Sequence, residues 1–253
     1  MSNQALAISA MLVVGACSRS EPALIDSDLA VLDSLCLTAP PSNSSEYLLW
    51  GKYETSNGEY FSNSEMDDSD LPVVNVSFHQ AQAWCHEHGL RLPSVSEWAT
   101  ALENAVSVSN VLELGINRSL PGGVFERGRT DSGMYDMAGN VREFALADEL
   151  WTAPETHAFA LGSSFATYKQ DGYVANLSVN KSDRASDMGF RYMTEASTFI
   201  ENHVAPKWNT LNATQRRQAV HAIAKWSKPW RRALADDIDQ QAVPSSLMKA
   251  LQE

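Results

Sequence analysis

Cysteine is scarce: three in 253 residues, at Cys17, Cys36 and Cys85. No two of them stand at the close spacing of a zinc site or in the even-numbered pattern of a disulfide framework. Positive charge is also in deficit, the formal net charge being −12. That balance excludes general nucleic-acid binding and suits a calcium-binding or exported protein. No apolar run is long enough to cross a bilayer as a helix. The six histidines (79, 86, 88, 157, 203 and 221) form no metal motif. His86 and His88 lie two residues apart, so on a helix they point to different sides. What is present is ordinary in bulk. A hydrophobic fraction of 44% and the length allow one substantial domain with appendages.

Residues 1–17 read as an export signal. Ala5 to Ala16 is an apolar run of signal-peptide length, although Met1 to Gln4 carries no Lys or Arg. It ends in Val14-Gly15-Ala16-Cys17, which resembles a bacterial lipoprotein cleavage box in which Cys17 would be acylated. The alternative is a buried N-terminal helix. Residues 18–45 read as a linker, with a short helix between Leu24 and Leu37 and a loop at Ala39-Pro40-Pro41-Ser42-Asn43-Ser44-Ser45. Cys36 reads as a small buried residue.

The domain itself opens at Glu46 with an aromatic strand. Ser77-Phe78-His79-Gln80 is a capping box that starts a helix with Ala81, Trp84, Cys85 and His88 on one face. A second box, Ser94-Val95-Ser96-Glu97, starts a helix that turns Trp98, Ala101, Leu102 and Ala105 inward. Residues 61–71 form an acidic, turn-rich loop.

The densest stretch is Gly133-Met134-Tyr135-Asp136-Met137-Ala138-Gly139-Asn140-Val141-Arg142-Glu143-Phe144. Two carboxylates, Asp136 and Glu143, flank a Gly-Asn turn signal, with apolar residues between them. Such a turn gathers carboxylates and carbonyls, the donors a hard cation prefers. Residue types alone leave a second reading open, a hydrogen-bonded Asx turn without a metal.

This stretch resembles the G-L-Y-D-M-x-G-N-V-W-E-W signature of the formylglycine-generating enzyme, or sulfatase-modifying factor, family. Three further stretches resemble that family in its order: Gly51 to Tyr60, Pro72 to Phe78 continuing through Arg91 to Trp98, and Met188-Gly189-Phe190-Arg191. The resemblance runs from about Glu46 to Tyr192. It implies an α+β, loop-rich domain of the C-type-lectin-like type over residues 46–195, followed by a helical extension over 196–253. It also implies a structural calcium held by the Asp136 side chain, the Gly139 and Val141 carbonyls and the Glu143 carboxylate. A first calcium site would use Asn110, for which no partner Asp is found.

The sequence departs from the family in two places. Leu161-Gly162-Ser163-Ser164-Phe165 stands where the family has R-G-G-S-W. The pair of cysteines that binds copper(I) shortly before G-F-R is missing; Ser164 to Gly189 contains none. Soft thiolates are what copper(I) requires, so copper is not expected. The resemblance thus implies an exported, periplasmic or cell-surface, non-catalytic bacterial relative, a calcium-stabilised protein-binding or scaffolding pseudoenzyme. The alternative is a formylglycine-generating or related metal-dependent oxidase acting on a sulfatase-type Cys peptide. A sugar-binding, lectin-like module is a third reading.

The extension has a character of its own. Asn212-Ala213-Thr214-Gln215 is a capping box, and Pro229 is expected to end or kink the helix it starts. From Lys207 to Arg232 there are seven Lys or Arg and no Asp or Glu, interleaved with Trp208, Trp226 and Trp230. Trp226, Trp230, Arg231 and Arg232 are therefore candidates for docking a protein partner or an anionic surface. The other reading is a helix packed on its own acidic domain.

Overall fold

A computed structural model describes residues 29–41, 44–102, 108–168 and 178–253. Residues 1–28, which include the signal-like stretch 1–17 with Cys17, and the predicted inward Ala105 lie outside the described residues. No helix among the described residues is long and apolar enough to cross a membrane.

The strands are short, from two to five residues, and form two small sheets. In the first, β1 (Leu35–Thr38), β2 (Leu48–Gly51) and β7 (Met193–Glu195) pair antiparallel in that order. The second has the order β5-β4-β3-β6, made from β3 (Arg142–Ala145), β4 (His157–Leu161), β5 (Ser178–Asn180) and β6 (Met188–Gly189). Its β3–β6 pair is parallel, with Glu143 opposite Gly189. Loops carry most of the rest.

Three helices punctuate the first half: α1 (Asn57–Tyr60), α2 (Phe78–Glu87) and α3 (Val95–Ala101). Each starts from a complete capping box, on Ser56, Ser77 and Ser94 respectively. The reciprocal bonds satisfy N–H groups that a helix start leaves without partners. Both boxes expected from sequence are formed, and their predicted inward faces are buried wherever described: Ala81, Trp84, Cys85 and His88 on α2, and Trp98, Ala101 and Leu102 on or just after α3.

The linker expected over 18–45 is corrected in its second half. Ala30–Ser34 is a 3-10 turn, and Leu35–Thr38 is strand β1 rather than part of a helix. Leu29, Leu32, Leu35, Cys36 and Leu37 are all buried. Five apolar side chains in this short span cannot stay in water when a sheet edge is available to cover them.

The C-terminal part is helical: α4 (Ala196–Phe199), α5 (Ala205–Trp208), α6 (Ala213–Ala224), α7 (Lys228–Asp237) and α8 (Ser245–Gln252). A π turn at Ile200–Val204 joins α4 to α5, which carries Pro206 in its first turn. Proline has no N–H to give the preceding turn, and a widened turn accommodates it. Asn212 caps α6 as expected. Pro229 does not kink α6, which has already ended; it sits in the first turn of α7, where its missing N–H costs nothing. The extension is not a separate unit. Phe199, Trp208, Ile223, Leu234 and Leu247 belong to the same buried cluster as Leu32, Phe78, Trp84 and Phe190.

Candidate functional site

The signature stretch folds as a series of tight turns leading into β3. Gly133 has φ +104°, a conformation that side chains resist, and Thr130 closes the turn by bonding both ways with Met134. Asp136 and Asn140 also lie at positive φ, 62° and 68°, which Asp and Asn tolerate better than other side chains. Gly139 is required for a different reason. A Cβ there would lie 2.7 Å from the Ser109 Cβ and 2.9 Å from the Asn110 carbonyl oxygen. Met134, Met137, Val141 and Phe144 are buried and pin the turns to the core.

Glu143 is the centre. Its carboxylate is 1% exposed and faces Arg191, which is fully buried. The parallel β3–β6 pairing places Glu143 beside Gly189, and Arg191 follows two residues on. Arg191 Nη2 donates to Glu143 Oε1 at 2.6 Å, and Nε to both carboxylate oxygens at 3.1 and 3.2 Å. Trp98 Nε1 donates to Oε2 at 2.8 Å. The remaining Arg191 N–H groups reach the carbonyls of Gly51 at 2.9 Å and Tyr135 at 2.8 Å. Burial alone would make the guanidinium easier to deprotonate. Glu143, then Glu54 and Asp136, more than offset that and keep it charged. One ion pair thus ties β2, α3, the signature turn, β3 and the strand-end after β6 together.

Two more carboxylates are buried nearby. Glu54, 3% exposed, accepts from the Val141 N–H at 3.2 Å and from Asn140 Nδ2 at 3.1 Å. Burial, then the neighbouring Asp136 charge, pushes its carboxyl well above the usual range. Asp136 accepts the Gly123 N–H at 2.8 Å, and burial pushes it up as well. The Asn140 side chain completes the network. Its Oδ1 accepts from Asn110 Nδ2 and the Leu120 N–H, and its Nδ2 also donates to the Leu120 carbonyl. Asn110 Oδ1 is buried and has no hydrogen-bond partner.

Of the four calcium candidates, Asp136, Gly139 and Val141 lie in the turns and Glu143 on β3, all of them buried. Their donors fit a hard cation in kind, being carboxylate and carbonyl oxygens. They fit in charge as well, since Glu54, Asp136 and Glu143 face one guanidinium, Arg191. Glu143 has least to give, because Arg191 and Trp98 bond both its oxygens. Among the described residues no three His, Cys, Asp or Glu side chains are grouped closely enough to hold a metal by themselves, so carbonyls would have to complete the shell. Asn110, the first-site candidate, donates its Nδ2 to Asn140 Oδ1 and to the Arg118 carbonyl, while its Oδ1 has no partner among the described residues.

Two further arginines near the centre are engaged. Asp187 takes Arg142 at 2.7 and 3.1 Å and the Ser164 hydroxyl at 2.7 Å. Arg184 donates to the Asn75 carbonyl at 3.3 Å. Cys36 lies on β1 with its Sγ near Gly133, and Cys85 lies on α2. Both are buried free thiols, in separate clusters of the core. Burial pushes Cys36 up to about 11 and Cys85 higher still.

The docking role expected of the extension needs correcting at two positions. Trp226 is buried, and its Nε1 donates to the Leu35 carbonyl at 3.0 Å. Arg231 is 6% exposed and donates to the carbonyls of Ala250 and Leu251. Arg232 donates to the Gln252 carbonyl at 2.7 Å, and Trp230 is half-buried. These residues hold α7 to β1 and cap the end of α8, where a cation suits the carbonyl-rich terminus. Sequence reasoning gave no role to Glu54 and only a packing role to Trp98, although both lie in stretches that resemble the family. Their contacts with Val141 and Glu143 span 87 and 45 residues and leave no local signal.

Residues 42–110 match the family model described as the sulfatase-modifying factor enzyme 1-like domain. That stretch of the chain is similar to the family's domain. The matched residues include Glu54, α1, α2 and α3 but stop short of the signature turn. Among solved structures, the chain is similar to "Crystal Structure of CarF", with 18% identity and a TM-score of 0.49, covering 64% of this chain and 93% of that one. It is similar to PvdO from Pseudomonas aeruginosa at 15% identity and a TM-score of 0.49, covering 64% and 90%. It is also similar to Treponema denticola variable protein 1 at 16% identity and a TM-score of 0.47, covering 64% and 91%. A comparison with curated proteins finds no match. The architecture that carries the sulfatase-modifying-factor-like domain is the mixed α+β, loop-rich one expected, with a helical C-terminal part.

Proposed function

We propose that this sulfatase-modifying-factor-like protein is an exported, non-catalytic binding or scaffolding module whose loops are stabilised by calcium. The observation that carries the reading is the state of its thiols. Copper-dependent formylglycine formation needs accessible thiolates set close together. Cys36 and Cys85 lie on β1 and α2, in separate clusters of the core, and burial holds both in the thiol form. The polar groups at the centre are likewise engaged in structural bonds: Glu143 with Arg191 and Trp98, Glu54 with Asn140 and Val141, Asp187 with Arg142 and Ser164.

Calcium would be held by Asp136, the Gly139 and Val141 carbonyls and Glu143. It would supply charge balance for the buried carboxylates and rigidity for the turns; it would do no chemistry there. Export follows from the signal-like residues 1–17, with Cys17 as the attachment point for a lipid anchor. The test is oxygen uptake by the full chain with a sulfatase-type Cys peptide and copper(I). No uptake above the peptide-plus-copper control is expected. Uptake that needs the protein would overturn the non-catalytic reading in favour of the oxidase one.

A further inference from the structure

Beside the signature turn lies a cavity of about 390 Å³, within the size range of small-ligand sites. None of the four calcium candidates lines it; it borders their network only through Glu54, which bonds Val141 and Asn140. Polar side chains converge on it from Lys52, Tyr53, Glu54, Glu59, Asp70 and Tyr192. We propose that this cavity binds an organic cation, an alkylammonium or guanidinium group.

Three observations lead there. The first is charge. Even with Glu54 left out of the count, Glu59 and Asp70 outnumber the single cation, Lys52, and neither carboxylate has an ion-pair partner among the described residues. The second is where that cation points. The Lys52 ammonium lies over the rings of Tyr53 and Tyr135, 5.5 and 5.7 Å from their centroids. It sits as a cation does on an aromatic face and does not neutralise the carboxylates. The third is capacity. Glu54 is nearly fully buried and accepts two hydrogen bonds, which leaves acceptor capacity on its carboxyl. Glu59 Oε1 takes only the Tyr192 hydroxyl, at 3.3 Å.

The carboxylates come from different parts of the chain, Glu59 from α1 and Glu54 and Asp70 from loops. No three acidic groups among the described residues are close enough together for a metal ion, so a cation with several N–H donors on an extended frame suits them better. An anion would meet the carboxylates, and an apolar ligand would strip water from them without returning a bond.

Calorimetric titration of the full chain with agmatine tests this, with 1,4-butanediol and succinate as the neutral and anionic comparators. Binding of agmatine alone is expected. Lys52→Met should tighten it about fivefold by removing a like charge, and Asp70→Asn, an exposed wall residue, should weaken it about threefold. Circular dichroism melts of both variants check that they are folded. No agmatine binding, equal binding of butanediol, or weaker binding by folded Lys52→Met would overturn the proposal. A peptide arm separates the sources of the cation. If an acetylated and amidated Arg tripeptide binds as tightly as agmatine, the natural ligand is a protein side chain. If agmatine binds and the tripeptide does not, it is a free amine.

Discussion

The signature centre and the helical extension are held together by different physics. The centre has strands of two to five residues and long loops, so few of its polar groups are satisfied by regular ladders. Specific side chains do that work: Arg191 for Glu143, Gly51 and Tyr135; Glu54 for Val141 and Asn140; Asn140 for Leu120. The extension has three helices of eight to twelve residues, whose backbones satisfy themselves. It packs through Ile223, Leu234, Leu247 and Leu251. A loop-built region therefore depends on a few irreplaceable polar contacts, and a helical one on apolar volume spread over many.

The largest effect should come from breaking the central pair. Arg191→Met leaves Glu143 buried without its partner, and urea unfolding should show a loss of about 3–5 kcal/mol. Arg191→Lys should rescue little of it, because a lysine cannot serve the carboxylate and two carbonyls in one plane. If Arg191→Met costs under about 1 kcal/mol, the contrast between the regions fails.

On the extension side, Leu247 is fully buried. Leu247→Ala should cost about 3 kcal/mol by lost burial and a residual cavity. It should leave the signature turn untouched, so any calcium response should persist. Loss of that response in a folded Leu247→Ala protein would mean that the two regions are coupled rather than contrasting.

A pH series sharpens the comparison at the edge of the centre. Burial pushes the Glu97 carboxyl up, but the Arg91 guanidinium and the Ser94 bonds outweigh that and hold it below the usual range. Its contribution to stability is then present above the unfolded glutamate value of about 4.3 and is lost as pH falls through the lower folded value. Melting temperature should fall less steeply with acid in Glu97→Gln than in the wild type. An equally steep acid limb would remove Glu97 from the account.

The smallest effect is expected where the extension meets the N-terminal 3-10 turn through Lys225 and Asp33, whose side chains are 48% and 59% exposed. Asp33→Asn should change stability by no more than about 0.5 kcal/mol and less in high salt. A larger loss would show that a surface ion pair, and not apolar packing, joins the extension to the domain.

How far each region was readable follows from the same contrast. The capping boxes at Ser77, Ser94 and Asn212 are local patterns, and the helices begin where they say. The inward faces of α2 and α3 follow from helical spacing. The signature turn was found as a unit because its glycines, its Asn and its carboxylates are contiguous. Its long-range partners were not. Arg191 and Glu143 are 48 residues apart, and the β3–β6 register brings them together. Strand β1 was taken for linker and helix because four residues carry too short a pattern to separate a strand from a helical turn. The basic, Trp-rich run suggested a docking face. Sequence does not show that the Arg231 charge is spent on the carbonyls of α8.

The most direct test of the central claim is the metal content of the full chain by mass spectrometry, read alongside its melting temperature with and without a chelator. The account predicts about one calcium per chain and a lower melting temperature on chelation, because an ion bound only by the folded state stabilises it. It predicts that folded Asp136→Asn shows neither. A wild-type protein that carries no calcium and melts at the same temperature with chelator would contradict it, leaving the centre to the side-chain network of Arg191, Glu143, Glu54 and Asn140.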